Sequence, residues 1–343
     1  MRFLLLLLLW LPLLPVAATA QSSPKLTKGR IIRQDPGLDQ VLSPDARLEI
    51  VGSGFVHIEG PLWVADSSML LFSDTKSRTI YRWSEQNGLS KFLENSGYTG
   101  RMPYGEEPGS NGLALDGKGN LLLCQHGDRR VALLPLAQKS GLLTVTDRYD
   151  GKRYNSPNDV LAHPTNGAIY FTDPPFGLPQ KEKDPLRELS VCGVYRRDAK
   201  GKITQEITDL SRPNGLAFTA DGRTLYVSNS DSLRPVIMQY DVRSSGKLGN
   251  GRVFFDMSAL PKVRPKELPD GLKVDQAGNV YATGPGGVSI LSPAGKLLGT
   301  LDPGEVAANC AWGDDGRTLY ITANTFLCRV KTKAQGVVTR KKN

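Results

Sequence analysis

A short pattern recurs six times along this chain, each time opening with an acid or amide, running through small or apolar residues to a Gly-containing turn, and ending in a β-rich stretch. The six openings are Glu59-Gly-Pro-Leu-Trp, Asn111-Gly-Leu-Ala-Leu, Asn158-Asp-Val-Leu-Ala, Asn214-Gly-Leu-Ala-Phe, Asp270-Gly-Leu-Lys-Val and Asn309-Cys-Ala-Trp. Their first residues are 52, 47, 56, 56 and 39 residues apart, which suits four short antiparallel strands per unit with loops of unequal length. One such unit cannot bury both of its faces, whereas a ring of them can. The repeat therefore predicts an all-β fold, a six-bladed β-propeller with a central tunnel. Equivalent positions in a closed ring converge on its axis, so the six oxygen-bearing side chains are expected to meet there and form a metal or substrate site.

A second strand follows each opening: Leu70-Leu-Phe-Ser-Asp74, Leu121-Leu-Leu-Cys124, Ile169-Tyr-Phe-Thr-Asp173, Leu225-Tyr-Val-Ser228, Val280-Tyr-Ala-Thr283 and Leu319-Tyr-Ile-Thr322. Turns such as Asp116-Gly-Lys-Gly-Asn120 and Asp221-Gly-Arg223 supply residues that tolerate positive φ. An isolated Asn-Gly would be read simply as a tight turn. Here the amide or acid recurs in register with a strand, and Glu59, followed by Gly60 and Pro61, is a poor turn former with a long reach.

Residues 1–20 read as a cleavable export signal. Arg2 is the positive end, Phe3 to Leu14 the apolar stretch, and Ala18-Thr19-Ala20 a small-residue cleavage site before Gln21. Pro12 and Pro15 interrupt the apolar stretch, which is short for a membrane span, and no Cys follows it as in a lipoprotein. The expected product is a secreted or periplasmic protein with no membrane attachment after cleavage. The polar segment 21–38 is expected to lie loosely over the surface, the propeller to occupy 39–330 as one domain, and 331–343 to form a basic tail. The net charge of +9 does not point to nucleic acid, because the basic residues are scattered apart from Arg340-Lys341-Lys342 and no nucleic-acid motif accompanies them. Four cysteines, Cys124, Cys192, Cys310 and Cys328, allow three disulfide pairings. Cys310 and Cys328 fall in one blade and are the first choice for a bridge, with buried free thiols as the alternative. Three aperiodic stretches, Gly97 to Gly109, Phe176 to Ser190 and Pro261 to Leu268, are either rim elements of a site or plain surface loops.

Between Glu59 and Thr325 the chain resembles the gluconolactonase and regucalcin (senescence marker protein) type of six-bladed propeller. The resemblance is carried by Glu59-Gly-Pro-Leu-Trp63, Cys124-Gln-His-Gly127 with Arg129-Arg130, Asn155-Ser-Pro-Asn-Asp159, Phe171-Thr-Asp-Pro-Pro175, Arg212-Pro-Asn-Gly215 and Pro269-Asp-Gly-Leu272. It implies a calcium-dependent lactonase with a divalent cation, usually calcium, at the mouth of the tunnel, held by Glu59, Asn158, Asn214 and Asp270. Two carboxylates and two amide carbonyls form an all-oxygen set that suits a hard cation. Calcium takes about six to eight oxygens, which leaves room for water and a substrate carbonyl. Zinc is disfavoured, because the three histidines His57, His126 and His163 are not in ligand spacing and no cysteine pair is present. The sequence has Ser156 where an arginine stands in the animal regucalcin pattern, as in bacterial members, so sugar preference is not carried over.

No G-x-S-x-G, H-E-x-x-H, Walker or G-x-G-x-x-G motif is present, which leaves metal-assisted hydrolysis. The expected reaction is the opening of a small, sugar-type lactone by water attack on a cation-polarised carbonyl. The family points to Asp270 as the general base, with Asp159, His126 and a cation-bound water as alternatives. Asn111, Asn158, His126 and Arg129 are the candidate substrate-binding residues; Arg101, Tyr104 and Arg130 are further polar neighbours. His57, just before Glu59, is expected behind the cation ligands, and His163 toward a turn. Two rival readings are an aryl ester or organophosphate hydrolase at the same site, and a non-catalytic propeller binding a partner around a structural calcium.

Overall fold

A computed structural model describes residues 26–137 and 141–338. Residues 1–20, expected to be an export signal, and Arg340–Lys342 lie outside the described residues. Within them the chain forms strands and three short 3-10 turns, with no α-helix. Six antiparallel sheets stand as blades around an axis. Their innermost strands are Ile58–Val64, Ser110–Leu115, Val160–Ala162, Pro213–Phe218, Leu272–Val274 and Ala307–Gly313 in blades 1 to 6. The predicted second strands pair with them as Met69–Asp74, Leu121–Gln125, Ile169–Asp173, Thr224–Asn229, Val280–Gly284 and Thr318–Ala323.

Blade 6 takes its outer strand from the other end of the chain. Glu49–Ser53 pairs with Phe326–Lys331, setting Glu49 opposite Arg329 and Ile50 opposite Cys328. This clasp joins the first propeller strand to the last, so the ring cannot splay without breaking a sheet. The apolar core is divided accordingly. Each of six clusters fills the space between two neighbouring blades, as Phe72, Trp63 and Tyr320 do between blades 1 and 6, and Tyr170, Leu216 and Val227 between blades 3 and 4. Burying one such side chain contributes about 1.5–3 kcal/mol, and a ring of equivalent interfaces shares that stabilisation without a single centre.

Two boundaries differ from expectation. Within 21–38, Arg30–Arg33 is seated as a fifth strand on Leu297–Asp302 of blade 5, and Leu38, in the turn Pro36–Gln40, is fully buried between blades 5 and 6. A four-residue edge strand is too short to show alternation, so only its partner reveals it. At the other end the fold continues past 330: Lys333 N–H donates to Val41 O, and Gly336 bridges to Asp275.

The Cys310–Cys328 bridge does not form, and all four cysteines are free and buried. Cys310 and Cys328 both face Ile321, one from each side of the strand between them. They are thus two strand spacings apart, roughly 9–10 Å, beyond the reach of a disulfide.

Candidate active site at the tunnel mouth

Each opening residue stands near the start of its innermost strand, and in four blades the pairing beside it is irregular. In blade 1 the register slips between Glu59 and Leu62, in blade 2 between Ser110 and Leu113, in blade 4 between Pro213 and Leu216, and in blade 6 between Ala307 and Asn309. A bulge re-aims the side chains beside it, here toward the axis. Gly60 adopts φ 52°, and a Cβ there would meet Asn111 O at 2.1 Å, so only glycine fits.

The opening amides of blades 2, 3 and 4 form one hydrogen-bonded row. Asn111 Nδ2 donates to Asn158 Oδ1 at 2.9 Å, Asn158 Nδ2 donates to Asn214 Oδ1 at 2.5 Å, and Asn214 Nδ2 donates to Ser230 Oγ at 3.0 Å. Glu59 accepts from its neighbour Gly60 N–H at 2.8 Å, and its carboxyl lies beside Asn309 and Asp270. Glu59, Asn111, Asn158, Asn214 and Asn309 are all buried, and Asp270 is half-buried.

Electrostatics mark this cluster as unusual. Burial raises the pKa of the Glu59 carboxyl and raises that of Asp270 well above the ordinary range, and in Asp270 the neighbouring Glu59, Asp159 and Glu107 add to the effect. Two neighbouring carboxyls of this kind disfavour carrying both negative charges at once. Asp270 Oδ1 is buried with no hydrogen-bond partner. Two adjoining buried carboxyls, one orphaned oxygen and a row of amides match the donor set of a hard divalent cation, which would supply the missing positive charge. Among the described residues no group of three or more His, Cys, Asp or Glu side chains is arranged for metal binding, so any ligand set here must include the amides.

His126 lies against this cluster, fully buried. Its Nε2 is 3.0 Å from Asn158 Oδ1 and its Nδ1 is 3.1 Å from Glu107 O. Burial lowers its pKa, favouring the neutral ring. A neutral ring carries one N–H; placed on Nε2 it donates to Asn158 Oδ1 and keeps the orientation in which that oxygen also accepts from Asn111 and Asn158 Nδ2 donates to Asn214. Glu107 and Ser230 escaped the sequence reading because both lie in loops without any period. The Gly97–Gly109 stretch is held over the site by His126 N–H donating to Gly109 O and Gly127 N–H to Pro108 O. Phe176–Ser190 also reaches it: a Cβ on Gly177 would strike His126 and Ser156. Both loops are rim elements.

Other candidates face elsewhere. Arg129 Nε donates to Tyr154 O (2.7 Å) and Asn155 O (3.1 Å), and Nη1 donates to Leu186 O (2.9 Å), so it braces two loops rather than facing the amide row. Arg130 is bound to Gln125 and Thr144, and Tyr104 stacks on Tyr98. Arg101 is exposed. Asp159 accepts N–H groups from Val160 and Leu216, both at 3.0 Å, and lines a cavity further down the tunnel. Its pKa is raised by burial, which nearby Lys273 partly offsets. His57 Nδ1 is 3.1 Å from Asn324 Oδ1, behind Glu59, and His163 is tied to the Gly222 turn.

A supporting layer recurs with the repeat. Fifteen residues after 59, 158 and 214 stand Asp74, Asp173 and Asn229, at the ends of second strands. Asp74 accepts from Val56 and His57 N–H, Asp173 from Asn155 and Ser156 N–H, and Asn229 from Arg212 N–H, fixing the chain just ahead of each opening residue. One residue earlier, Ser73, Thr172 and Ser228 donate to Asn111 O, Asn214 O and Asp270 O in the next blade. The constant offset was present in the sequence as the signal for both roles.

The SMP-30/gluconolactonase/LRE-like region matches residues 58–325. The gluconolactonase of Zymomonas mobilis is 38% identical over 322 residues, covering 90% of this chain and 88% of that enzyme. The pentonolactonase of Haloferax volcanii is 26% identical over 268 residues, covering 77% and 80%. A solved gluconolactonase from Xanthomonas campestris superposes with a TM-score of 0.77 at 29% identity, covering 92% of this chain and 99% of that one. The amide row, the paired carboxyls and the six blades thus stand on a chain that belongs to the SMP-30/gluconolactonase/LRE-like family.

Proposed function

We propose that this protein is a cation-dependent lactonase that hydrolyses a small, sugar-type lactone at the tunnel mouth. The observation that carries this reading is the orphaned, buried Asp270 Oδ1 beside Glu59 and the amide row. Lactone chemistry is supported by the gluconolactonase and pentonolactonase relatives. Glu59, Asp270, Asn158 and Asn214 would hold the cation, with calcium the first choice on the donor set. Bound there, it would polarise the substrate carbonyl and favour the oxyanion that develops during attack.

The chain's own groups do the rest. Asn111 and His126 fix the Asn158 amide from two sides, so the carbonyl oxygens needed at the axis are aimed before substrate arrives. Asp270, which the cation it would hold keeps ionised, is our choice of acceptor for a proton from the attacking water. Asp159, tied to two backbone N–H groups, is less well placed for that role. The loops around Glu107 and Gly177 limit the water that reaches these groups.

The deciding experiment is lactone hydrolysis followed by pH-stat, first with calcium, then with chelator, then with single divalent ions restored. Turnover that survives complete chelation would refute the cation-dependent scheme. We further propose, from the sequence of residues 1–20, that the protein acts outside the cytoplasm after cleavage following Ala20. N-terminal sequencing of the exported protein checks this.

A further inference from the structure

The innermost strands end at the face opposite the mouth, and there the tunnel widens into a cavity of about 300 Å³, at the low end of small-molecule pockets. Every blade contributes to it. Its walls are mainly apolar, with Trp63, Leu113, Leu161, Phe218 and Trp312 among them, and Val338 lies at its edge. Rim residues Gly117 and Gly167 are exposed, so the cavity adjoins solvent on this face.

Lys273 is the lysine of a lining that also carries Asp116, Asp159, His163 and Asn309. Lys273, on the short innermost strand of blade 5, is half-buried, and its Nζ donates to Leu272 O at 3.0 Å and, weakly, to Asn309 Oδ1 at 3.4 Å. An ammonium carries three donors, and among the described residues Lys273 forms no ion pair, in contrast to Lys28, Lys91, Lys296 and Lys331. Asp159 also lines the cavity; its two oxygens each accept one N–H, from Val160 and Leu216, and it lies near enough to Lys273 to feel its charge without an ion pair. A half-buried ammonium that feels the Asp159 charge but has no carboxylate in contact, at a mainly apolar cavity fed by six blades, is an incomplete arrangement.

We infer that this cavity is a second binding site, separate from the tunnel mouth, for a small amphiphilic carboxylate whose apolar body lies among Trp63, Leu161, Phe218 and Trp312 and whose carboxylate pairs with Lys273. The ligand class follows from the lining: indole and aliphatic walls reject a polyhydroxylated acid, and Lys273, which no carboxylate contacts, selects an anion. The site is distinct from the lactone site and does not rest on that activity.

Octanoate, octanol and octylammonium are the probes, titrated into the full-length mature protein in the presence of chelator. Binding is read by calorimetry and by the fluorescence of the wall tryptophans. Octanoate is expected to bind about tenfold or more tightly than octylammonium, the difference being the charge-assisted bond to Lys273. Lys273→Met should remove that preference while octanol binding persists, and Ala162→Trp, which fills the cavity from its rim, should abolish binding of all three. Absence of octanoate binding, equal binding of octanoate and octylammonium, or undiminished binding in Ala162→Trp would each overturn the inference. Thermal unfolding identifies a variant that fails to fold; should Lys273→Met do so, Lys273→Gln replaces it with the same expected outcome.

Discussion

His126 Nε2 stands 3.0 Å from Asn158 Oδ1, with the opposite ring nitrogen 3.1 Å from Glu107 O. The imidazole thus links the rim loop to the central amide of the row. It has no exposed surface, so its first effect is on where Asn158 points. Groups that orient ligands in this way typically govern about 10–100-fold in activity or metal affinity. His126→Ala is expected to lower kcat by about that factor while calcium affinity changes less, since neither carboxyl is touched. Calorimetric calcium titration alongside kcat separates the two, and an unchanged rate would remove His126 from the site.

Asp270→Asn and Glu59→Gln should each abolish turnover and calcium binding. Without metal the same variants are expected to unfold at equal or higher temperature than the parent, because each removes a carboxyl whose charged form is penalised by burial. Thermal melts in chelator and in calcium test both halves. A variant with full activity would contradict the proposed role.

Asp173 should govern part of the pH dependence of stability. Burial pushes its pKa from 3.8 up to about 7, against the opposing pull of the Asn155 and Ser156 N–H groups. A carboxyl with a raised folded-state pKa stabilises fully below its unfolded value, and that stability is lost as pH rises through the folded value. Stability should therefore fall between pH 4 and about 7, with a slope of up to about 1.4 kcal/mol per pH unit from this group. Asp173→Asn should flatten that slope in urea titrations across the range, whatever its effect on absolute stability.

Thr172→Val tests the clasp between blades 3 and 4. It leaves the buried Asn214 O without the hydroxyl that donates to it at 2.8 Å, at an expected cost of about 1–3 kcal/mol. Chemical denaturation measures this cost. A cost near zero would mean that the clasp does not hold Asn214 in place.

All four thiols should resist a thiol reagent in the native protein and react after unfolding without reductant. Burial raises the pKa of Cys192 to about 11 and of Cys310 and Cys328 to about 12, which suppresses the reactive thiolate. Fewer than four titratable thiols in the unfolded, unreduced chain would reveal a bridge.

The six openings, the second strands and the turns were legible in the sequence because each is a local pattern, in which alternation, glycine and β-branched residues constrain the chain within a few positions. Convergence of Glu59, Asn111, Asn158, Asn214 and Asp270 followed from that periodicity alone, since ring closure maps equal positions onto one axis. What periodicity does not encode, tertiary structure decided. Glu107 reaches His126 through an aperiodic loop, Arg129 turns to main-chain carbonyls, and Arg30–Arg33 gains its strand only from a partner in blade 5. Asp159 shows the limit most plainly: one residue beyond Asn158, it lines a different cavity, because the Leu216 and Val160 N–H groups hold its carboxyl there. Sequence spacing specified which residues come to the axis, while the closed packing of six blades set the direction in which each of them points.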